Sequence, residues 1–187
     1  METERFEALI DAILAIIITI IVLEIPLAAN GSWQALLEIK FEFLIYAISF
    51  MICFNFWNFN NNIFSIVNKV DPKVIWTMGF TLFVFSLLPY LTTFVAENFY
   101  VFFPQCLYGL VFIITALLSL LISKFLKEAD PGNIALQIAL ADHKPMYFTV
   151  VMVLIGMVIG YFAYPPVIML CCLLSIFGVW TIPKIRG

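Results

Sequence analysis

The stretch from Arg5 to Pro26, RFEALIDAILAIIITIIVLEIP, constrains this chain more than any other. Between Phe6 and Ile25 lie about twenty residues, the length a helix needs to cross the hydrocarbon core of a bilayer. Only Glu7, Asp11, Thr19 and Glu24 interrupt the apolar run. At about 100° per residue, Leu9, Ala12, Ile16, Thr19 and Leu23 fall on one narrow stripe. Asp11 falls roughly 120° to one side of that stripe and Glu24 about as far to the other. The helix therefore carries an apolar seam with one hydroxyl in it, and its carboxylates point elsewhere. Two readings fit the seam: ordinary core packing, or several copies meeting around an axis to line a pore.

Composition agrees with a membrane setting. The chain is 64% hydrophobic and 11% charged, where a soluble domain is about half apolar and a quarter charged. Mean hydropathy is +1.10. The first segment is too long for a signal-peptide core, follows acidic residues and lacks a small-residue cleavage site, so it is expected to be a mature span. Six apolar segments predict an all-α integral membrane protein of one domain, residues 1–187, with spans near 6–25, 38–64, 74–95, 101–126, 145–164 and 167–182. Residues 27–34, with Asn30-Gly31, read as a loop. Asp71-Pro72 reads as a helix start, and Pro89 lies inside the third span. The polar segment 127–144 holds a short apolar stretch, Ile134 to Leu140, expected as an interfacial helix on the inner side. Six spans with the N-terminus inside put Arg5, Lys69, Lys73, Lys124, Lys127, Lys144, Lys184 and Arg186 on one side and only Lys40 on the other. The positive-inside rule then predicts a cell-membrane protein with both termini cytoplasmic.

Reactive chemistry is sparse. Cys53, Cys106, Cys171 and Cys172 sit in apolar runs without metal or redox spacing and read as buried small hydrophobes. The single histidine, His143, reads as a loop residue. No phosphate-binding loop, nucleophile elbow or metalloprotease motif occurs, so an enzyme is not expected. The Thr-Val-Gly-Tyr-Gly filter of familiar potassium channels is also absent, so any ion selectivity must come from side chains. Gly156 and Gly160 permit close helix approach, within the subunit or between subunits. Asp11 needs partners inside a membrane, and Arg5, Asn58, Asn60 and Asn61 lie at a similar depth. It reads as a polar clamp, with proton relay or ion ligation as the alternative. Trp57, Trp76 and Trp180 lie near span ends and read as interfacial anchors.

Several motifs carry a resemblance. Arg5, three residues, then Leu9-Ile10-Asp11 resembles the Arg-x-x-x-Phe-Ser-Asp signature of the endolysosomal potassium-channel family, transmembrane protein 175, and its prokaryotic homologues. Leu9 and Ile10 depart from the Phe and Ser. Ser49-Phe50, Trp57, Asn60-Asn61 and Phe64 resemble the family's second-helix pattern, with two histidines replaced by Asn60 and Asn61. Leu88-Pro89-Tyr90 with Thr92-Thr93, and Tyr108, are similar to its third and fourth helices. The last two spans match only in hydrophobicity and length.

The resemblance implies a potassium-selective channel assembled as a homotetramer, with six helices per repeat and the first lining the pore. Carried over by position, Ile16 is the constriction, with Thr19 and Leu23 beyond it. Leu9 and Ala12 complete the pore stripe, and Arg5, Asp11, Trp57, Asn60 and Asn61 form a polar clamp. Glu24 and Glu38 would concentrate cations at the outer mouth. The implied partners are the bilayer, further copies of the chain and permeant K⁺, with no cofactor. A weakly selective cation or proton leak channel and a small secondary carrier are the competing functions. Carriers show internal repeats and broken helices near mid-membrane, and neither a repeat nor a break in the first span is present.

Overall fold

The computed structural model describes the backbone of residues 3–181 and the side chains of residues 3–176. Among the described residues the chain is all-helical. Helix α1 (Thr3–Leu23) stops short of Pro26, whose ring cannot continue a helix. A short α2 (Trp33–Glu38) follows, capped by Ser32, whose hydroxyl accepts from Ala35 N at 3.1 Å. The loop expected over 27–34 is therefore shorter, and the second span starts at Lys40 rather than 38, as α3 (Lys40–Phe64). Helix α4 (Pro72–Phe85) opens as expected, with Asp71 Oδ1 accepting from Val74 N at 3.0 Å.

The third span is broken. Helix α5 (Leu88–Glu97) is separated from α4 by Ser86 and Leu87. Pro89 has no N–H to offer the Phe85 carbonyl, and its ring crowds that carbonyl, so α4 ends there. Ser86 Oγ donates to Phe83 O at 2.7 Å across the break. Beyond it come α6 (Phe102–Ala129), a short α7 (Ile134–Ala139), α8 (Lys144–Phe162) and α9 (Val167–Thr181).

Among the described residues, five stretches are long and apolar enough to cross a membrane: α1, α3, α4 with α5, α6, and α7 with α8. The expected sixth segment is described as the helix α9 over 15 residues, Val167–Thr181. Trp180, Lys184 and Arg186 lie outside the described side chains.

Asn133 Nδ2 donates to Ile66 O at 2.7 Å and Asn68 Nδ2 to Asp130 Oδ2 at 3.2 Å, so the α3–α4 and α6–α7 connections meet at one end of the bundle. Thr3 and Glu4 border the same groove as Lys69 and Ala129. Lys127 Nζ reaches His143 Nε2 at 3.2 Å, joining the start of α8 to this end. Most of the basic residues therefore share the end that carries Thr3. Packing inside the bundle is aromatic in front, with Phe56 stacked on Phe85 at 4.2 Å and Phe6 edge-on to Phe64 at 5.6 Å. It is glycine-based behind. Gly156 and Gly160 of α8 face Ile168 and Cys171 of α9, and Gly109 of α6 faces Ile168 from the other side. The pair in α8 thus serves contact within the subunit.

Candidate pore-lining face

Helix α1 has two faces of opposite character. Phe6, Ile10, Leu14, Ile17 and Ile21 are 0–3% exposed and pack on the bundle. Their spacing of four, four, three and four residues makes one stripe. The other stripe turns away from the subunit. Leu9 is 49% exposed, Ile16 58% and Leu23 80%, and Ala12 and Thr19 are exposed with them. Core packing inside the subunit therefore does not account for these five residues. Arg5 falls on the same outward line, four residues before Leu9, and is also exposed.

Thr19 bonds its own helix. Its hydroxyl donates to Ile16 O at 2.8 Å, which commits its one proton and leaves its oxygen lone pairs outward. Glu24 and Glu38 are exposed near the end opposite Arg5, and Glu24 Oε2 accepts from Thr93 Oγ1 at 3.4 Å.

Asp11 lies off the stripe and is half-buried, facing α3. Trp57 Nε1 donates to Asp11 Oδ1 at 2.8 Å. A hydrogen bond to a carboxylate is stronger than one between neutral groups, and it ties α1 to α3. The indole N–H is thus used inside the protein, which corrects the reading of Trp57 as an interfacial anchor; Trp76 is 81% exposed. The remaining expected clamp residues do not join Asp11. Arg5 lies six residues away, about 120° around the helix, and the ion pair among the described residues is Lys124–Glu128. Asn60 is buried and its amide donates to Phe56 O at 2.8 Å, within its own helix. Asn61 is half-buried and forms no hydrogen bond with Asp11.

A second polar tie was not read as such from sequence. Ser49 Oγ lies 2.8 Å from Thr92 Oγ1 and 2.7 Å from Tyr108 Oη, all three side chains buried between α3, α5 and α6. Thr92 donates its only proton to Leu88 O at 2.7 Å. Ser49 must then donate to Thr92, and Tyr108 to Ser49, so the chain has one direction. The signal was three hydroxyls, one in each of three apolar runs. Among the described residues no group of three or more His, Cys, Asp or Glu side chains could hold a metal.

Fold and site together define an all-helical, multi-pass membrane protein with an outward-facing helix stripe held from behind by polar ties. The family model for the endosomal/lysosomal potassium channel TMEM175 matches residues 5–89. A potassium channel of Chryseobacterium sp. (strain P1-3) is 29% identical over 186 residues, covering 100% of this chain and 96% of that one. A potassium channel of Chamaesiphon minutus is 32% identical over 110 residues, covering 56% of this chain and 53% of the relative. The crystal structure of a lysosomal potassium-selective channel TMEM175 homolog from Chamaesiphon minutus shares the fold. Its TM-score is 0.68 at 23% identity, over 95% of this chain and 96% of that one. Over residues 5–89 the chain is thus similar to the TMEM175 family, and the relatives it matches bear the names of channels rather than enzymes.

Proposed function

We propose that this chain is one subunit of a homotetrameric potassium channel in the cell membrane, with α1 of each copy lining a central pore and both termini cytoplasmic. The observation that carries the reading is the outward stripe of α1. It is apolar enough to exclude water, yet it holds Thr19 and continues to Arg5. A hydroxyl and a guanidinium on one line suit a water-accessible axis better than lipid, where charged groups are expensive. One helix cannot surround an ion, and closed cyclic assembly is the common outcome for identical subunits.

In this reading Ile16 forms the narrowest ring, with Thr19 and Leu23 beyond it and Leu9 and Ala12 before it. A ring of branched apolar side chains closes by dewetting, and when slightly wider passes a partly dehydrated ion. Potassium sheds water more readily than sodium, so the ring favours it. The outward lone pairs of Thr19 replace some of the lost water contacts. Glu24 and Glu38 raise the local cation concentration at the far mouth. Asp11 and Trp57 hold the pore helix from behind and touch no ion. No cofactor is required; K⁺ is the permeant species.

The test is a bi-ionic reversal potential, K⁺ against Na⁺, on purified protein in a planar bilayer, with Ile16→Asn beside the wild type. A K⁺-shifted reversal that collapses in the mutant is expected. Selective current unchanged by the substitution would move the constriction elsewhere. Absence of current together with isotope counterflow would make the protein a carrier, and a monomer in detergent would remove the pore.

A further inference from the structure

Away from α1, a cavity of about 360 Å³ lies between α3, α6 and the α8–α9 hairpin, in the half of the bundle nearer Thr3. That volume falls in the range of small-molecule sites. Its body is apolar and aromatic, with Phe56, Phe59, Phe85 and Phe112 among its walls. Asp142, exposed at the start of α8, stands on its lining.

Asn55, whose amide both donates and accepts, lies on this cavity, and the Thr115 hydroxyl can turn to do either, but the other hydroxyls point one way. Ser119 donates its proton to Thr115 O at 2.8 Å, Thr149 to Pro145 O at 3.1 Å, and Ser175 to Cys172 O at 2.7 Å. Each hydroxyl has one proton and two lone pairs, so all three present acceptors to the cavity. Thr115 Oγ1 is buried there with no hydrogen-bond partner among the described residues, a state that costs stability while it lasts. Asp142 adds a carboxylate; its Oδ1 accepts from Lys144 N at 3.0 Å. The nearby ammonium of Lys127 is engaged by Leu140 O at 3.3 Å and by His143. Acceptors, a negative charge and aromatic faces complement one kind of ligand. We propose that this cavity binds an amphipathic ammonium: an apolar or aromatic body among the phenylalanines, and a protonated amine directed to Asp142 and the hydroxyl oxygens. Ring faces attract the same cation. The site is separate from the α1 stripe, so it stands or falls independently of ion conduction.

The test uses tritiated phenylbutylamine on the purified full-length protein in detergent at pH 7, with unlabelled phenylbutanol and phenylbutyrate as competitors. Saturable binding is expected, with the alcohol and the acid competing at least about tenfold more weakly, as the loss of one good polar interaction implies. Ala116→Phe, which fills the cavity from its own wall, should abolish binding. Asp142→Asn keeps an oxygen for Lys144 N and should bring the amine down to the level of the alcohol. Three results would overturn the proposal: no saturable binding to the wild type, equal competition by the alcohol, or undiminished binding to Ala116→Phe, which would put the amine in the pore or the micelle. Should Ala116→Phe fail to fold, Asp142→Asn decides alone.

Discussion

The front of the molecule and its α8–α9 hairpin solve the same problem by different means. Lipid gives helices no hydrophobic reason to associate, so close packing and polar contacts must do it. The front uses polar ties: Trp57 to Asp11 joins α3 to α1, and Ser49, Thr92 and Tyr108 join α3, α5 and α6. The hairpin uses absence of side chain. Gly156 and Gly160 let α9 approach until Ile168 sits fully buried against them, while Thr149 and Ser175 bond their own helices. Polar ties fix direction and register, because a hydrogen bond fails when its partners slip. Glycine contacts fix distance and tolerate many neighbours.

That contrast can be broken by substitution. The largest effect is expected at Gly156. A Cβ there would lie 2.9 Å from Cys171 Cβ and 3.3 Å from the Ile168 backbone, where little can yield. Gly156→Val should cost about 3 kcal/mol and lower the melting temperature in detergent severely. Gly160→Ala should be milder, since its nearest atoms are the far end of the Ile168 side chain. Equal effects at the two positions would mean that distance is not what the hairpin fixes.

Next come Asp11 and Trp57. Trp57→Phe should cost about 2 kcal/mol, the range for a hydrogen bond to a charged group, measured by thermal unfolding. Asp11→Ala should lower expression or assembly, with unaltered reversal potentials in whatever protein assembles. Well-assembled Asp11→Ala protein with changed selectivity would turn the tie into part of the ion path. The smallest effects are expected in the hydroxyl chain. Ser49→Ala leaves the Tyr108 hydroxyl buried without its acceptor and should exceed Tyr108→Phe, which removes a terminal donor for about 1 kcal/mol. The reverse order in paired unfolding measurements would contradict the direction of the chain.

The same division explains what was legible in the sequence. Helices announced by caps were readable: Asp71 before Pro72 marks a start because a carboxylate satisfies free N–H groups. The outward stripe of α1 followed from helix periodicity alone, although periodicity did not say which face would be outward. Partner choice was less readable. Depth in the membrane suggests Arg5, Asn58, Asn60 and Asn61 for Asp11, yet angle around the helix excludes Arg5, and Asn60 turns back on its own backbone. Trp57 admits two readings, an interfacial anchor from its place near a span end and a clamp residue from the family resemblance, because an indole suits an interface or a buried carboxylate equally well; its N–H goes to Asp11. The break at Ser86–Leu87 was latent in Pro89. The hairpin gave least, since glycines and apolar residues at close spacing fit many packings.

The directed hydroxyl chain has an electrical consequence. A proton wire needs an acceptor at its far end that can take up a proton and hand it on, after which every hydroxyl must turn over. The sequence Tyr108 to Ser49 to Thr92 ends on the Leu88 carbonyl, a group that accepts a hydrogen bond but does not carry a proton onward. Its other end is a phenol with no exposed surface. The bundle thus holds a polar thread across three helices that is insulated at both ends, joining them without opening a route for H⁺.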